Sequence, residues 1–248
     1  PKVDDWGEYL FLVFYNLQYL TSDELSIRTQ ELDIFLGINY LVTYHNEPVP
    51  SIERIRDTCQ RDKLSLSKGT AYLLYQILDD MITHYMDVVE AVNQDIDLIE
   101  DQVFTNPEPA MLERIFALKR TLLHLRRLLV PQREVLYKLS RVDFQVFDAK
   151  FGIFFRDVYD HAARLEDILE SLRDLAGSAL TMYLSIINNR MSEVMKTLTI
   201  ITTFFMPLAF ITGFFGMNFF QAALPLEAWT GKLAFAITIG LIILVPLG

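Results

Sequence analysis

The chain has 248 residues, which is enough for one or two domains with a buried core. Its 32 acidic and 22 basic residues give a net charge of −10, although 52% of its residues are hydrophobic. This charge disfavours nucleic acid as a partner and favours cations, and the high apolar content indicates an acidic soluble part joined to a strongly apolar one.

The first part of the chain is predicted to contain strands. Residues 9–15, 31–36 and 38–44 are rich in aromatic and branched side chains, and Gly37 stands between the last two segments as a turn residue. We therefore expect the last two segments to pair as a hairpin.

Helices are predicted from there on. A short helix covers residues 51–61 and begins at Ser51. Residues 69–104 and 110–140 carry apolar side chains every three or four positions, and two prolines break the pattern within residues 106–109. Two long helices joined by so short a turn should lie antiparallel. The first of them is strongly acidic, which fits either a solvated face or a reservoir that attracts cations.

Residues 151–215 contain proline only at Pro207, which predicts one continuous helix of about 65 residues, about 100 Å long. A helix of that length has to be a coiled coil, a membrane span, or one continuing into the other. Residues 197–215 hold no charge and are long enough to cross a bilayer, and residues 233–248 form a second uncharged run. Since the chain stops inside that run, we expect the natural protein to continue.

Arg190 and Lys196 flank the first predicted span on its N-terminal side. The positive-inside rule places that side in the cytoplasm and the loop 216–231 outside. The chain is therefore predicted to be a multi-pass protein of the cell (inner) membrane with its N-terminal domain in the cytoplasm.

Two heptad columns of the long helix carry mostly small or polar side chains where a soluble coiled coil would have Leu, Ile or Val. They contain Ser185, Ser192, Thr199, Met206 and Gly213 in one column, and Thr181, Asn188, Met195, Thr202 and Ala209 in the other. Unsatisfied polar groups are costly in hydrocarbon, so this stripe should face partner helices or water. It fits a tight helix interface or a pore lining, and a pore requires several copies of a chain with two spans.

The first span ends in an unusual sequence, "GFFGMNFF", at residues 213–220. Gly216 is predicted to end the helix, because glycine leaves a helix easily. The amide oxygen of Asn218 can accept hydrogen bonds from waters around a cation. Since Mg²⁺ dehydrates reluctantly, such outer-shell partners suit a filter for it.

Four sequence blocks support a resemblance to a known family. They are "PQREVL" at 131–136, "FRDVYDH" at 155–161, "EVMKTLTI" at 193–200 and "FMPLAFITGFFGMN" at 205–218. With these blocks the chain resembles the CorA family of divalent-cation channels, part of the metal ion transporter superfamily. The resemblance implies an α+β cytosolic domain, here a truncated α/β/α sandwich, followed by a very long stalk helix and two transmembrane helices. The fold would be mainly helical and would assemble as a pentameric funnel.

The resemblance also divides the chain into segments. They are a cytosolic α/β domain with its long helix pair (1–150), the stalk helix (151–196), the first, pore-forming transmembrane helix (197–215), an extracytoplasmic loop with the Gly-Met-Asn motif (216–231) and a truncated second transmembrane helix (232–248).

The family's functional residues fall on definite positions of this sequence. The selectivity filter falls on Gly216, Met217 and Asn218. The pore-lining rings fall on Asn188, Ser192, Met195, Leu198, Thr199, Thr202, Met206 and Gly213. Ser192 departs from the family, which often has asparagine there. Regulatory metal ligands are implied at Asp157, Asp79 and Glu8, and Thr181 stands where the family commonly has an acidic residue.

The implied function is transport of Mg²⁺, and of Co²⁺ or Ni²⁺, through a homopentamer that intracellular Mg²⁺ closes, so that Mg²⁺ is both cargo and regulator. The implied partners are other copies of the chain, the lipid bilayer and divalent cations, and no nucleic acid. One alternative is a zinc transporter of the same superfamily, which Met217 disfavours. Another is a non-conducting membrane-anchored scaffold. We predict no catalytic residues, because the sequence has no phosphate loop or nucleophile motif, and its histidines and Cys59 lack zinc-site spacing.

Overall fold

The protein is described from a computed structural model. The structure describes residues 1–20, 25–61, 67–142, 144–216, 231–233, 236–237 and 239–240. Most of the predicted loop 216–231 and second span 232–248 lies outside these residues. The chain divides into two compact units, Pro1–Leu184 and Ser185–Gly248. The first unit thus includes the beginning of the segment 151–196 that the sequence assigned to the stalk.

The first unit contains a four-stranded antiparallel sheet in the order β1-β2-β3-β4. Its strands are β1 (Lys2–Asp5), β2 (Tyr9–Leu20), β3 (Ser26–Gly37) and β4 (Leu41–Tyr44). The three predicted strands are present, but β2 and β3 are longer than predicted and pair along their full 12-residue lengths. Strand β1 was not predicted, because its sequence, KVDD, is short and mostly charged.

The predicted hairpin is the β3–β4 pair. Residues 38–40 form its turn, and the backbone N–H of Gly37 donates to the carbonyl of Tyr40 at 2.9 Å. The prediction that a strand begins at residue 38 was therefore wrong by three residues. A Cβ atom on Gly37 would overlap the ring of Tyr40, so the absence of a side chain allows the ring to fold over the turn.

Four helices follow the sheet. They are α1 (Pro50–Arg61), α2 (Thr70–Thr105), α3 (Pro109–Arg141) and α4 (Gly152–Gly216), with a short 3-10 turn at Ala149–Phe151. All four predicted helices are confirmed, with bounds that differ by one residue. Only three residues connect α2 to α3, so the second helix has to run back along the first.

The core of the first unit lies between the sheet and the helices. Alternate side chains of β2 and β3 point into it, and α2 contacts β2 while α3 contacts β3. The completely buried sheet residues include Leu10, Leu12, Leu32, Ile34 and Leu36. Helix α4 adds Phe155, Val158, Ala162 and Leu165, whose spacing of three or four residues places them on one face.

Beyond residue 13, β2 has no neighbouring strand among the described residues on the side where β1 pairs with it. Side chains from the helices form hydrogen bonds with this unpaired edge. The backbone N–H of Tyr15 donates to Oε1 of Gln132 at 3.1 Å, and the hydroxyl of Tyr85 donates to the Tyr15 carbonyl. The carbonyl of Leu17 lies 3.1 Å from Nε2 of His84. Buried backbone groups need such partners, so these helix residues take the place of a neighbouring strand.

Within the second unit, helix α4 continues as far as Gly216. No described side chain between Ser185 and Gly216 is buried, although many are large and apolar. By length and composition this helix could cross a membrane, and its most apolar stretch has no buried residue. The expected first span is therefore present as a helix whose apolar side chains are exposed or half-exposed among the described residues.

The hydrogen bonds that helix side chains make to the β2 edge, which we call the β2 cap, predict that Gln132 contributes to the stability of the fold. Gln132 is completely buried. Replacement by methionine keeps the size of the side chain and removes the acceptor for Tyr15. We expect Gln132→Met to lower the free energy of unfolding by about 1–3 kcal/mol, measured by urea denaturation, because a buried N–H loses its partner. The control Gln94→Met, on the exposed side of α2, should change it by less than about 0.5 kcal/mol. Equal effects of the two substitutions would contradict the proposed cap.

Candidate metal centre and pore helix

Aromatic contacts align helices α2 and α4 near the beginning of each. The rings of Tyr75 on α2 and Phe154 on α4 lie 5.1 Å apart, and Tyr72 packs edge-on against the same phenylalanine at 5.8 Å. Asp79 follows Tyr75 by four residues and Asp157 follows Phe154 by three, which is one helical turn in each case. The aromatic contact therefore fixes a register in which the two carboxylates meet.

Asp79, Asp157 and His161 form a compact group. One ligand atom from each lies within 4.8 Å of the other two. Nδ1 of His161 is 3.7 Å from Oδ1 of Asp79, and Nε2 is 4.0 Å from Oδ1 of Asp157. The two nitrogens of one imidazole ring therefore face two different carboxylates, and all three side chains are at least partly accessible to solvent.

The electrostatics of the group favour an added cation. Burial raises the pKa of the Asp79 carboxyl, His161 acts in the opposite direction, and the charges of Asp157 and Asp80 raise it further. Burial also raises the pKa of the Tyr75 hydroxyl, and the charges of Asp79 and Asp157 contribute to that shift. A bound divalent cation would offset the repulsion between the carboxylates.

The neighbouring Asp80 has a different environment. Arg54 binds it through Nη2 at 2.6 Å and through Nε at 3.0 Å. Burial acts to raise the pKa of Asp80, but the hydrogen bonds from Arg54 and Ser51 outweigh it, so the pKa is lowered overall. Asp80 therefore already has a cationic partner, whereas Asp79 is left for the group with Asp157.

Of the three regulatory ligands implied by the sequence, the structure brings Asp79 and Asp157 together. Glu8 lies exposed between β1 and β2 and is not a member of the group. The sequence did not indicate His161, because it has no histidine or cysteine at zinc-site spacing. The missed signal was the spacing of four residues between Asp157 and His161 on a helix. Carboxylates suit Mg²⁺ and imidazole suits transition metals, so the group could hold either class of cation.

The residues named as pore-lining all lie on α4 and are exposed in the single chain. At about 100° per residue, all of them except Leu198 fall within an arc of about 80°. Leu198 lies about 40° beyond the edge of that arc by the same rotation. Five of the seven residues in this arc are Asn, Ser, Thr or Gly, Met195 and Met206 are the other two, and Phe210 lies at the edge of the arc.

The threonines of this face donate their hydroxyl hydrogens to backbone carbonyls of the preceding turn. Thr199 donates to the carbonyl of Met195, and Thr202 donates to the carbonyl of Leu198, each at 2.8 Å. Their oxygens remain outward as acceptors for the hydrogens of water, including the waters of a hydrated cation. Thr203 and Thr212, which lie off this face, make the same kind of bond. The position on the helix, rather than the hydroxyl bond, is therefore what distinguishes Thr199 and Thr202.

The predicted filter lies at the end of α4. Gly216 is the last residue of the helix, and no atom outside its own neighbourhood lies within 4 Å of where a side chain would begin. Met217 and Asn218 lie outside the described residues.

The chain is similar to known metal ion transporters. The chain is 34% identical over 219 residues to the putative metal ion transporter YfjQ of Bacillus subtilis, covering 88% of this chain and 67% of that protein. It is 35% identical over 222 residues to the cobalt/magnesium transport protein CorA of Thermotoga maritima, covering 88% of this chain and 62% of that protein. The chain therefore spans about two thirds of the length of these relatives.

A similar fold has been solved. The complete structure of the CorA magnesium transporter from Methanocaldococcus jannaschii matches with a TM-score of 0.85 and 25% identity, covering all of this chain and 76% of that one. The family described as CorA-like Mg²⁺ transporter protein matches residues 1–248. Because the family matches the whole length of the chain, the chain belongs to the CorA-like Mg²⁺ transporter proteins.

Proposed function

We propose that the protein conducts Mg²⁺ into the cell through a homopentameric channel whose pore is lined by α4. The observation that carries the proposal is the mostly polar face of about 80° on the membrane-length part of α4, where no described side chain is buried, in a chain of this family. Apolar side chains on the remaining surface would contact lipid and the second span. Several copies with their polar faces turned inward would enclose a water-filled path.

Selectivity in this proposal rests on oxygen acceptors that leave the hydration shell in place. Gly216, Met217 and Asn218 form the filter at the outer end, and the threonine oxygens of α4 continue the polar path inward. Mg²⁺ holds its waters strongly, so outer-shell acceptors can pass it without stripping them. The membrane potential supplies the driving force, about 2.3 kcal/mol per charge for each 100 mV.

Regulation is assigned to the group of Asp79, Asp157 and His161. Intracellular Mg²⁺ bound there would hold the cytosolic part in the closed arrangement, and loss of the ion would leave the carboxylates repelling each other. Glu8 remains a predicted further ligand. Because it is not part of the group within one chain, it would have to come from a neighbouring copy.

The proposal extends to Co²⁺, since the relative from Thermotoga maritima is named a cobalt/magnesium transport protein, and to Ni²⁺ by similar chemistry. The zinc transporter and the non-conducting scaffold are not favoured, because these relatives are named as metal ion or magnesium transporters. Flux of Mg²⁺, Co²⁺, Ni²⁺ and Zn²⁺ into liposomes separates the three alternatives.

The filter assignment predicts that Asn218→Ala abolishes Mg²⁺ uptake into liposomes that contain the full-length protein. The amide oxygen that receives the hydrated ion is lost, and an alanine cannot replace it. The control Asn189→Ala changes an exposed asparagine of α4 about 100° away from Asn188 on the helix, and should leave uptake within about twofold. Full uptake by Asn218→Ala would remove Asn218 from the filter.

The pore face predicts different effects for two threonines of α4. Thr202→Val removes an acceptor from the proposed pore while keeping the shape of the side chain, and should reduce Mg²⁺ flux by about tenfold, corresponding to about 1.4 kcal/mol at the barrier. Thr212→Val removes a hydroxyl that makes the same kind of bond about 80° beyond the edge of the pore face, and should leave the flux nearly unchanged. If Thr212→Val has the larger effect, α4 presents another face to the ion path.

The two adjacent aspartates of α2 should affect stability with opposite signs. The pKa of Asp79 is raised in the folded protein, so its ionised form opposes folding, and this penalty grows as the pH rises through that pKa. The pKa of Asp80 is lowered, so its ionised form stabilises the fold above pH 4 or so, and this contribution is lost as the pH falls.

At pH 7 with a chelator, Asp79→Asn should therefore raise the melting temperature, and it should shrink the further rise that Mg²⁺ or Co²⁺ causes. Asp80→Asn should lower the melting temperature by the equivalent of about 0.5–1 kcal/mol, because a partly exposed pair with Arg54 is lost, and should preserve the rise with cation. Differential scanning fluorimetry measures both. A cation response that survives Asp79→Asn unchanged would argue against the metal centre.

A further inference from the structure

Charge is segregated between helices α2 and α3. Helix α2 has eight acidic residues and no lysine or arginine, and they are Asp79, Asp80, Asp87, Glu90, Asp95, Asp97, Glu100 and Asp101. Helix α3 has two acidic residues, Glu113 and Glu134, and eight basic ones, which are Arg114, Lys119, Arg120, Arg126, Arg127, Arg133, Lys138 and Arg141. The two helices are consecutive, yet within the part of the chain that the structure describes no ion pair joins them.

The solvent side of α2 presents what we call the acidic stripe, residues Met86, Asp87, Glu90, Asp97 and Leu98. The spacing of these residues keeps them on one side of the helix. Leu98 is 54% exposed and follows Asp97 directly in the chain. Among the described residues, Glu90 and Asp97 form no ion pair, and Asp87 lies 3.7 Å from His84.

The solvent side of α3 presents the basic stripe, residues Phe116, Arg120, Leu123, His124 and Arg127. Phe116 is 46% exposed and Leu123 is 42% exposed. Neither arginine of this stripe forms an ion pair with any residue that the structure describes. Each stripe thus combines charge of one sign, most of it without an ion pair among the described residues, with apolar side chains, a combination typical of interaction surfaces.

We propose that the acidic stripe of one copy of the chain docks on the basic stripe of the next copy. This inference rests on the homo-oligomer of the proposed function and names the surfaces that hold its cytosolic parts together. A contact between two different surfaces of identical chains is heterologous, and such contacts close into rings when the rotation between copies allows it. A two-fold contact that paired like stripes would place equal charges against each other.

The heights of the residues along the two helices support this pairing. Both helices meet at the turn 106–108, so residues equally far from the turn lie at equal heights, about 1.5 Å per residue from it. Leu98 lies seven residues before Thr105, and Phe116 lies seven after Pro109. Asp87 and Arg127 are each 18 residues away from those same helix ends.

In a ring whose axis runs along these helices, every copy keeps the same heights. Leu98 of one copy then lies at the same height as Phe116 of the next copy. Asp87 of the first copy likewise lies at the same height as Arg127 of the next. Closer to the turn, Asp101 and Glu113 stand at equal heights and would repel each other. The contact is therefore confined to the stretch from Leu98 back to Asp87.

Cysteine cross-linking tests the contact directly. The variants Leu98→Cys and Phe116→Cys are made separately in a Cys59→Ser background of the full-length protein, coexpressed, and oxidised in native membranes. We expect a disulfide-linked dimer at least tenfold more abundant than in membranes with either variant alone. The matched control pairs Leu98→Cys with Tyr137→Cys, which is similarly exposed but about 30 Å further along α3, and should give no such dimer.

Charge reversal gives a second readout. Asp87→Arg alone and Arg127→Asp alone should each reduce the cross-linked dimer by about tenfold, and the doubly reversed chain should restore it. Asp87→Arg also removes the contact of Asp87 with His84 inside the chain, and the doubly reversed chain does not regain it. Restoration of the dimer would therefore show that the single variants disrupt a contact between copies and do not damage the fold.

Native mass spectrometry and Mg²⁺ flux distinguish the failure of this inference from failure of the proposed function. A conducting ring without the Leu98–Phe116 cross-link would overturn the inference and leave the channel intact. A protein that neither conducts nor assembles would overturn both. Binding of the basic stripe to phosphatidylglycerol vesicles, lost in Arg120→Glu/Arg127→Glu and unaccompanied by the cross-link, would assign that stripe to the membrane surface and overturn the inference.

Discussion

The structure depends on one constraint on α4, which has to satisfy two different environments along a single helical backbone. In the first unit its apolar face is buried, with Phe155, Val158 and Leu165 completely covered. From Ser185 to Gly216 no described side chain is covered, although Phe205 and Phe210 are among the large apolar ones. Exposed hydrocarbon of that extent is unfavourable in water, so this stretch requires lipid, other copies of the chain, or both. Its polar face then requires partners of a different kind, and the water-filled path between copies that we propose would provide them.

The two candidate ion sites meet opposite requirements with suitable chemistry. A sensor has to hold its ion, and the group of Asp79, Asp157 and His161 offers direct ligands whose repulsion a cation relieves. A conduction path has to release its ion, and α4 offers neutral oxygens such as those of Thr199 and Thr202, which bind water rather than metal. The absence of charged residues from 197 to 215 is therefore consistent with conduction as well as with insertion into a bilayer.

Most helices could be predicted because their signals are local. Apolar spacing and the prolines near residue 107 defined α2 and α3 to within one residue, and the length of α4 followed from the near absence of helix breakers.

The edge of β2 could not be predicted, because its partner Gln132 is 117 residues away from Tyr15 and only the packed fold brings them together. The contact of His161 with Asp79 could not be predicted for a related reason, because Asp79 lies on another helix, whose register is set by the ring contact of Tyr75 with Phe154. The resemblance to a family supplied the pore positions, which spacing alone left open between a pore and a tight helix interface.

The acidic helix illustrates why a net charge does not define a role. The sequence left two interpretations of α2, a solvated face and a reservoir for cations. The structure divides its carboxylates by their partners: Asp80 binds Arg54, Asp79 joins Asp157 and His161, and Glu90 and Asp97 face solvent without an ion pair among the described residues. A general reservoir does not require apolar side chains between the charges, and a solvated face tolerates single ones such as Leu98 without requiring them. The exposed Leu98 in that stretch, and Phe116 at the same height on a basic helix, are better explained by a partner that is itself part apolar and oppositely charged. Helix α3 of another copy meets both conditions.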